Sequence, residues 1–285
     1  QIENFNRKRI SILYSKIFES LGRIGLLLII MYFFNITALN ILLISSLVFF
    51  VNIVFVLYIR KDALVIEGFN FSLLKENFKH YYKFSLPLLI WALFSWLQLY
   101  ATAWFLQYYR SVEEVGYFTL LNTIALIIPT QLVGIIGTFI IPIMYQNEHE
   151  QKGYTKMKVK QITGYLTLLF IGLGTFFLFF HDFVIELLSS EKYTLYGWLL
   201  PYLFFASALS SIASVWTYEF FVYEKAKELL FAQTIPSIIS IISCLILIPN
   251  YGVAGVSYVL LLSSGSYLLL ILLTYYKSFI HGKII

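Results

Sequence analysis

"YSKIFESLGRIGLLLIIMYFF" (Tyr14–Phe34) passes from charge into hydrocarbon within a few residues. A mostly apolar stretch of this length crosses the roughly 30 Å hydrocarbon layer of a bilayer as a helix. Lys16, Glu19 and Arg23 lie inside it at spacings of three and four, which places all three on one helix face with Glu19 in reach of either base. If hydrocarbon begins near Ser15, Arg23 sits about 10 Å deeper than Lys16 at 1.5 Å per residue. A lone charge at that depth costs about 2.5–3.5 kcal/mol, so Arg23 is expected to face protein or water, or to snorkel back to the headgroups.

The same pattern recurs along the chain. Sixty per cent of its 285 residues are hydrophobic and only 12% are charged, with a mean hydropathy of +0.81. Soluble domains carry about a quarter of their residues as charges, so the chain belongs to the membrane class. Its apolar runs are continuous and do not alternate, which excludes barrel strands. The expected fold is an all-α polytopic membrane bundle of eight helices, over Ser11–Phe34, Leu39–Ile59, Phe84–Leu106, Gly116–Tyr145, Gln161–Phe180, Gly197–Tyr223, Leu229–Pro249 and Val253–Tyr276.

Lysine and arginine orient these spans. Sixteen of the 20 basic residues fall in one set of segments: the N-terminus, Arg60–Lys83, Lys152–Lys160, Lys225–Lys227 and the C-terminal tail. The alternate segments hold only Arg110 and Lys192, so both termini are expected to be cytoplasmic. The charge of +5 is then a retention signal and not a nucleic-acid surface, because no basic cluster is interleaved with aromatics. Residues 60–83 form the longest polar break and read as a cytoplasmic linker between 1–59 and 84–285. Its part "FSLLKENFKHYYKF" (Phe71–Phe84) is apolar on one side and charged on the other, as an amphipathic surface helix would be.

Catalytic chemistry finds little support. Cys244 is the only cysteine, and His80, His149, His181 and His281 are dispersed, which leaves no metal cage and no cofactor to expect. No phosphate-binding G-x-x-x-x-G-K-[ST], no G-x-S-x-G and no H-E-x-x-H occurs. The outer loops are short and offer Glu113, Glu114, Asp182, Glu186 and Glu191 without an Asp-x-Asp pair.

Polar residues inside the spans are the remaining signal. Trp91, Ser95, Gln98 and Thr102 repeat by four, three and four, forming one stripe; with Asn122 and Gln131 on the next span they could line a sugar-accepting cavity or pack helices together. Ser207, Ser211 and Ser214 read as a close small-residue contact. Glu219 lies about one turn from a cytoplasmic helix end, placed either for ion coupling or beside Lys225 at the interface. Pro87, Pro129, Pro142, Pro201 and Pro236 each remove a backbone donor from a span.

The stretch "YYKFSLPLLIWALFSWLQLYATAWFLQYYRSVEEVGYFTLLNTIALI" (Tyr81–Ile128) resembles the seventh and eighth helices of Wzx-type polysaccharide flippases. These belong to the multidrug/oligosaccharidyl-lipid/polysaccharide exporter superfamily. The likeness rests on the S-x-P opening at Ser85–Pro87 and the "EEVGYF" return at Glu113–Phe118, and "LIPNYGVAGVSY" (Leu247–Tyr258) is similar to the turn before the last helix of the family. The resemblance implies helices five to twelve of a two-lobe, twelve-helix transporter, a C-terminal piece with which Gln1 in place of Met agrees. Where family members often carry Asp-Arg in the seventh helix, this chain has Thr102-Ala103, so no role of that pair carries over.

By that resemblance the chain would move an undecaprenyl-pyrophosphate-linked oligosaccharide across the bacterial inner membrane for lipopolysaccharide or capsule assembly, without chemistry of its own. Arg23, Glu19 and Lys16 would form a cationic patch for the pyrophosphate. Membrane lipids, a polysaccharide polymerase and chain-length proteins are the implied partners. A cation-coupled multidrug exporter of the same superfamily and a membrane glycan polymerase are the alternatives. The first would want more buried acids, and the second a long, charged outer loop.

Overall fold

The computed structural model describes residues 9–33, 37–59, 71–225 and 227–280. All the regular structure among the described residues is helical. The chain divides into two compact units, Gln1–Lys75 and Glu76–Ile285, a division that falls within the stretch read as a linker.

In the first unit, α1 (Arg9–Phe33) and α2 (Ala38–Ile59) pack side by side. Ile44 and Val48 of α2 are buried, and Val48 packs over Gly22 of α1. Most other large apolar side chains of both helices are exposed, as lipid-facing or partner-facing surfaces are.

The second unit begins at Glu76, within α3 (Phe71–Tyr109). It was expected as two pieces, a surface helix over Phe71–Phe84 and a span from Phe84. Instead it is one helix of 39 residues, about 58 Å long at 1.5 Å per residue. No glycine interrupts it, and Pro87 alone does not end the helix.

α4 (Val112–Glu150) follows after a single turn. Ser111 caps it by accepting from the Glu114 amide at 3.1 Å, and Glu113 and Glu114 place negative charge on the positive end of its dipole. α5 (Tyr154–Leu188) starts at Gly153, whose φ of +88° suits a residue without a Cβ, and its helical geometry lapses at Phe180, where the sequence placed the end of the span. The sixth span was expected as one helix from Gly197. It opens as a 3₁₀ turn over Glu191–Leu199, and α6 proper is Leu200–Val222 with Pro201 in its first turn.

α7 (Glu228–Tyr275) departs from helical backbone geometry at Gly252, which has φ 55° and ψ −130°. Leu229 and Ala232 from its start share a buried cluster with Tyr267, Ile271 and Tyr275 from its end, so the chain doubles back at Gly252. This is the turn read from "LIPNYGVAGVSY". Gly255 lets the two halves close up, since a Cβ there would stand 2.4 Å from the Leu247 carbonyl oxygen. A short π-helical turn, Tyr276–Ile280, ends the described chain.

Among the described residues, four stretches are long and apolar enough to cross a membrane: Val112–Glu148, Tyr154–Leu188, Glu191–Val222 and Glu228–Phe279. The last holds both halves of α7. Their loops gather at two ends of the unit. At one, Arg110 donates to the Pro249 carbonyl at 3.0 Å, Lys192 pairs with Glu113 at 3.5 Å, and Tyr117 packs on Tyr193 and Tyr196. At the other lie Lys152, Lys156 and Lys225, lysines that the charge count assigns to the cytoplasmic face.

Candidate functional site

A cavity of about 300 Å³ lies inside the second unit, bounded by α3, α4, α6 and both halves of α7. Such a volume is at the lower end of what binds small ligands. Each wall contributes polar groups because its helix repeats them at spacings of three and four. Ser95, Gln98 and Thr102 come from α3; Asn122 and Thr130 come from α4. α6 adds Ser207, Ser210, Ser211 and Ser214, and α7 adds Gln233, Ser264 and Tyr267. Among the described residues no charged side chain lines it; Phe118, Leu126, Leu203 and Leu260 supply apolar surface.

These polar groups cross-link the walls. Gln233 Nε2 donates to Gln98 Oε1 at 3.1 Å, joining α7 to α3. Ser210 donates to Ser264 Oγ at 2.8 Å, joining α6 to the second half of α7. Ser207 donates to the Ala125 carbonyl at 3.0 Å. Beneath Gln233, Ser237 donates to the Phe94 carbonyl at 3.2 Å and to its own Gln233 carbonyl at 2.9 Å. Thr102 is fully buried, yet its Oγ1 has no hydrogen-bond partner among the described residues. An unsatisfied buried hydroxyl on a polar wall is a place where a ligand or water belongs.

The stripe predicted on α3 therefore faces this cavity through Ser95, Gln98 and Thr102, joined by Asn122; the Trp91 side chain lies outside the described ones. Gln131 does not join them. It is exposed, and Thr130 lines the cavity in its place. Nine residues from Asn122 carry Gln131 about 180° around the helix, whereas eight carry Thr130 only about 80°. Of the α6 serines expected to make a small-residue contact, Ser207 hydrogen-bonds across to α4 and Ser214 bonds back to the Ser210 carbonyl of its own helix; both line the cavity with Ser211. Gln233 was not anticipated, although an amide inside the apolar run of α7 was the available signal.

The α1 residues stand in the first unit. Arg23 donates to Glu19 Oε1 at 3.4 Å, with the Arg23 side chain 47% exposed. Glu19 Oε2 accepts from Asn52 Nδ2 of α2 at 3.4 Å, so this acid links the two helices. The Lys16 side chain lies outside the described ones.

Glu219 is 2% exposed and borders a second cavity of about 620 Å³ at the lysine-bearing end. Glu148, at the end of α4, accepts from the amides of Gly153 and Thr155 at 2.6 and 2.7 Å, capping α5, and also from the Tyr223 hydroxyl. Burial and that bond to a carboxylate push the Tyr223 phenol above its ordinary range.

A helical membrane protein with an uncharged, hydroxyl- and amide-lined cavity is the class that fold and site define. Residues 5–148, half of the chain, match the sequence model of the family described as polysaccharide biosynthesis protein, and the chain belongs to that family. No curated protein and no solved structure matches it.

Proposed function

We propose that the chain is part of a flippase carrying undecaprenyl-pyrophosphate-linked oligosaccharide across the bacterial inner membrane, feeding lipopolysaccharide or capsule assembly by alternating access. The observation that carries this is the neutral polar cavity in a polysaccharide-biosynthesis protein. Sugar hydroxyls both donate and accept, and so do the serines, threonines, glutamines and asparagine of the lining. The protein needs only to lower the barrier for sugar and phosphate to cross hydrocarbon, so no chemical step is required of it. In this reading the chain supplies helices five to twelve of a twelve-helix transporter of the Wzx type, with both ends cytoplasmic. Arg23, with Glu19 and Lys16, offers the charge that the pyrophosphate needs, and a polymerase with its chain-length protein consumes the product.

The test uses cells with the full-length gene deleted and then restored. Lipid-linked repeat units exposed on the outer leaflet are counted against the total made. Cytoplasmic build-up relieved by the restored gene supports flipping, whereas normal exposure with unpolymerised units points to a polymerase.

One observation favours a second reading, a cation-coupled exporter of the same superfamily. Glu219 is a buried acid beside Tyr275, close to a helix end. Unchanged repeat-unit exposure together with new drug sensitivity in the deletion strain would select it.

A further inference from the structure

The cavity at the lysine-bearing end plays no part in the sugar reading, and most of its polar groups are already committed. Glu148 is saturated by the α5 cap and Tyr223. Tyr145 donates to the Phe221 carbonyl at 2.6 Å. Lys225 donates to the Ser278 carbonyl at 3.2 Å, with its ammonium 4.5 Å from the centre of the Phe279 ring.

Three groups are left over. Lys152 and Lys156 make no hydrogen bond or ion pair among the described residues. Glu219 is almost wholly buried, and its Oε2 has no hydrogen-bond partner there. Tyr275 stands beside that carboxylate, and Lys156 lines the same cavity without forming an ion pair with it. A carboxylate taken out of water needs donors or a counter-charge.

Separated charges of both signs in one cavity specify their ligand. A bare anion would satisfy the lysines and be repelled by Glu219; a bare cation would do the reverse. A phosphate with a primary ammonium a few bonds away meets both demands, through charge-assisted hydrogen bonds at each end. The cavity also opens at the helix ends, the level at which lipid headgroups sit. We infer that it binds the phosphoethanolamine headgroup of a membrane phospholipid, with the phosphate between Lys152 and Lys156 and the ammonium on Glu219.

The test is a titration of the full-length protein, purified in maltoside micelles, read as a shift in Tm. The probes are dihexanoyl phosphatidylethanolamine, the matching phosphatidylcholine and phosphatidylglycerol, free phosphoethanolamine, and inorganic phosphate. Phosphatidylethanolamine is expected to bind about tenfold more tightly than phosphatidylcholine, which has no N–H, a gap of about 1.4 kcal/mol. Glu219→Gln should erase that preference, while Lys152→Gln and Lys156→Gln should weaken both lipids alike because both carry the phosphate. Equal binding of the two lipids overturns the proposal, as does a preference that survives Glu219→Gln. Should Glu219→Gln not fold, the two lysine variants decide: unchanged affinities overturn it. Phosphatidylglycerol or inorganic phosphate matching phosphatidylethanolamine would show a plain anion site, and free phosphoethanolamine matching it would show a soluble ligand. Each result overturns the lipid assignment. None of these readouts is transport, so the flipping proposal stands or falls separately.

Discussion

Ser207 Oγ lies 3.0 Å from the carbonyl oxygen of Ala125, the acceptor that Pro129, four residues on, leaves without its helical amide. A proline in the middle of α4 thus presents a free carbonyl, and α6 supplies the donor that covers it. Inside a bilayer there is little water to take that place.

Ser207→Ala is therefore expected to destabilise the protein by about 1 kcal/mol, the usual size of such bonds between membrane helices. The informative measurement is a double-mutant cycle with Pro129→Ala, read as thermal unfolding in detergent. Restoring the amide at 129 gives Ala125 its helical partner, so Ser207→Ala should cost much less in that background. Additive effects would mean that the two residues are not coupled through Ala125.

If the proposed flipping runs through the neutral cavity of the second unit, filling it should separate function from folding. Ser210 crosses to Ser264 at 2.8 Å on its wall. Ser210→Leu puts an isobutyl group into that space, so outer-leaflet exposure of repeat units should fall about tenfold or more, equivalent to about 1.4 kcal/mol on the barrier. Protein level and Tm should hold, because the leucine meets Leu203 and Leu260, which already face the cavity. Full exposure of repeat units with Ser210→Leu in place would remove this cavity from the transport path.

Much of this architecture is legible in the sequence, for identifiable reasons. Long apolar runs mark the helices because lipid tolerates few alternatives. The reversal of α7 is announced by "PNYG", where only glycine takes the φ of +55° comfortably. The α3 stripe emerges because helix periodicity holds over short distances. Gln131 fails for the same reason: over nine residues, choosing Gln131 in place of Thr130 rotates the side chain by about 100°. Other features depend on contacts between distant segments and leave no local trace. No spacing says that Ser207 meets the Ala125 carbonyl across 82 residues of chain, or that Gln233 meets Gln98 across 135. The unbroken α3 was missed because charge in Phe71–Phe84 suggests a membrane surface, while helix propensity does not register where the bilayer begins.

In the first unit, stability and transport should be divided between two neighbours. Glu19 accepts from both Arg23 and Asn52, whereas Arg23 is about half exposed and bonded within its own helix. Glu19→Ala should lower Tm by loosening α1 from α2. Arg23→Ala should leave stability within about 0.5 kcal/mol, as exposed i,i+4 pairs do, yet reduce repeat-unit exposure if its charge meets pyrophosphate. Intact transport in Arg23→Ala would end the case for a cationic patch there.

Gly252 offers the sharpest test of the fold. It turns α7 back at φ 55° and ψ −130°, beside the Pro249 carbonyl that Arg110 holds at 3.0 Å. A Cβ at this position would stand 2.7 Å from Glu114 Oε2 and 3.4 Å from Arg110 Nε. Gly252→Ala thus adds backbone strain to a contact, and should cost on the order of 1–3 kcal/mol. The two causes can be parted. Adding Glu114→Ala removes the carboxylate and should recover only the contact, because the φ remains unfavourable for any L side chain. Gly265→Ala in the second half of α7 is the control: nothing stands within 4 Å of a Cβ there, so alanine should be neutral or stabilise the helix by about 0.5–1 kcal/mol. If Gly252→Ala behaved like Gly265→Ala in thermal unfolding, the reversal at Gly252 would be wrong, and α7 would have to run straight.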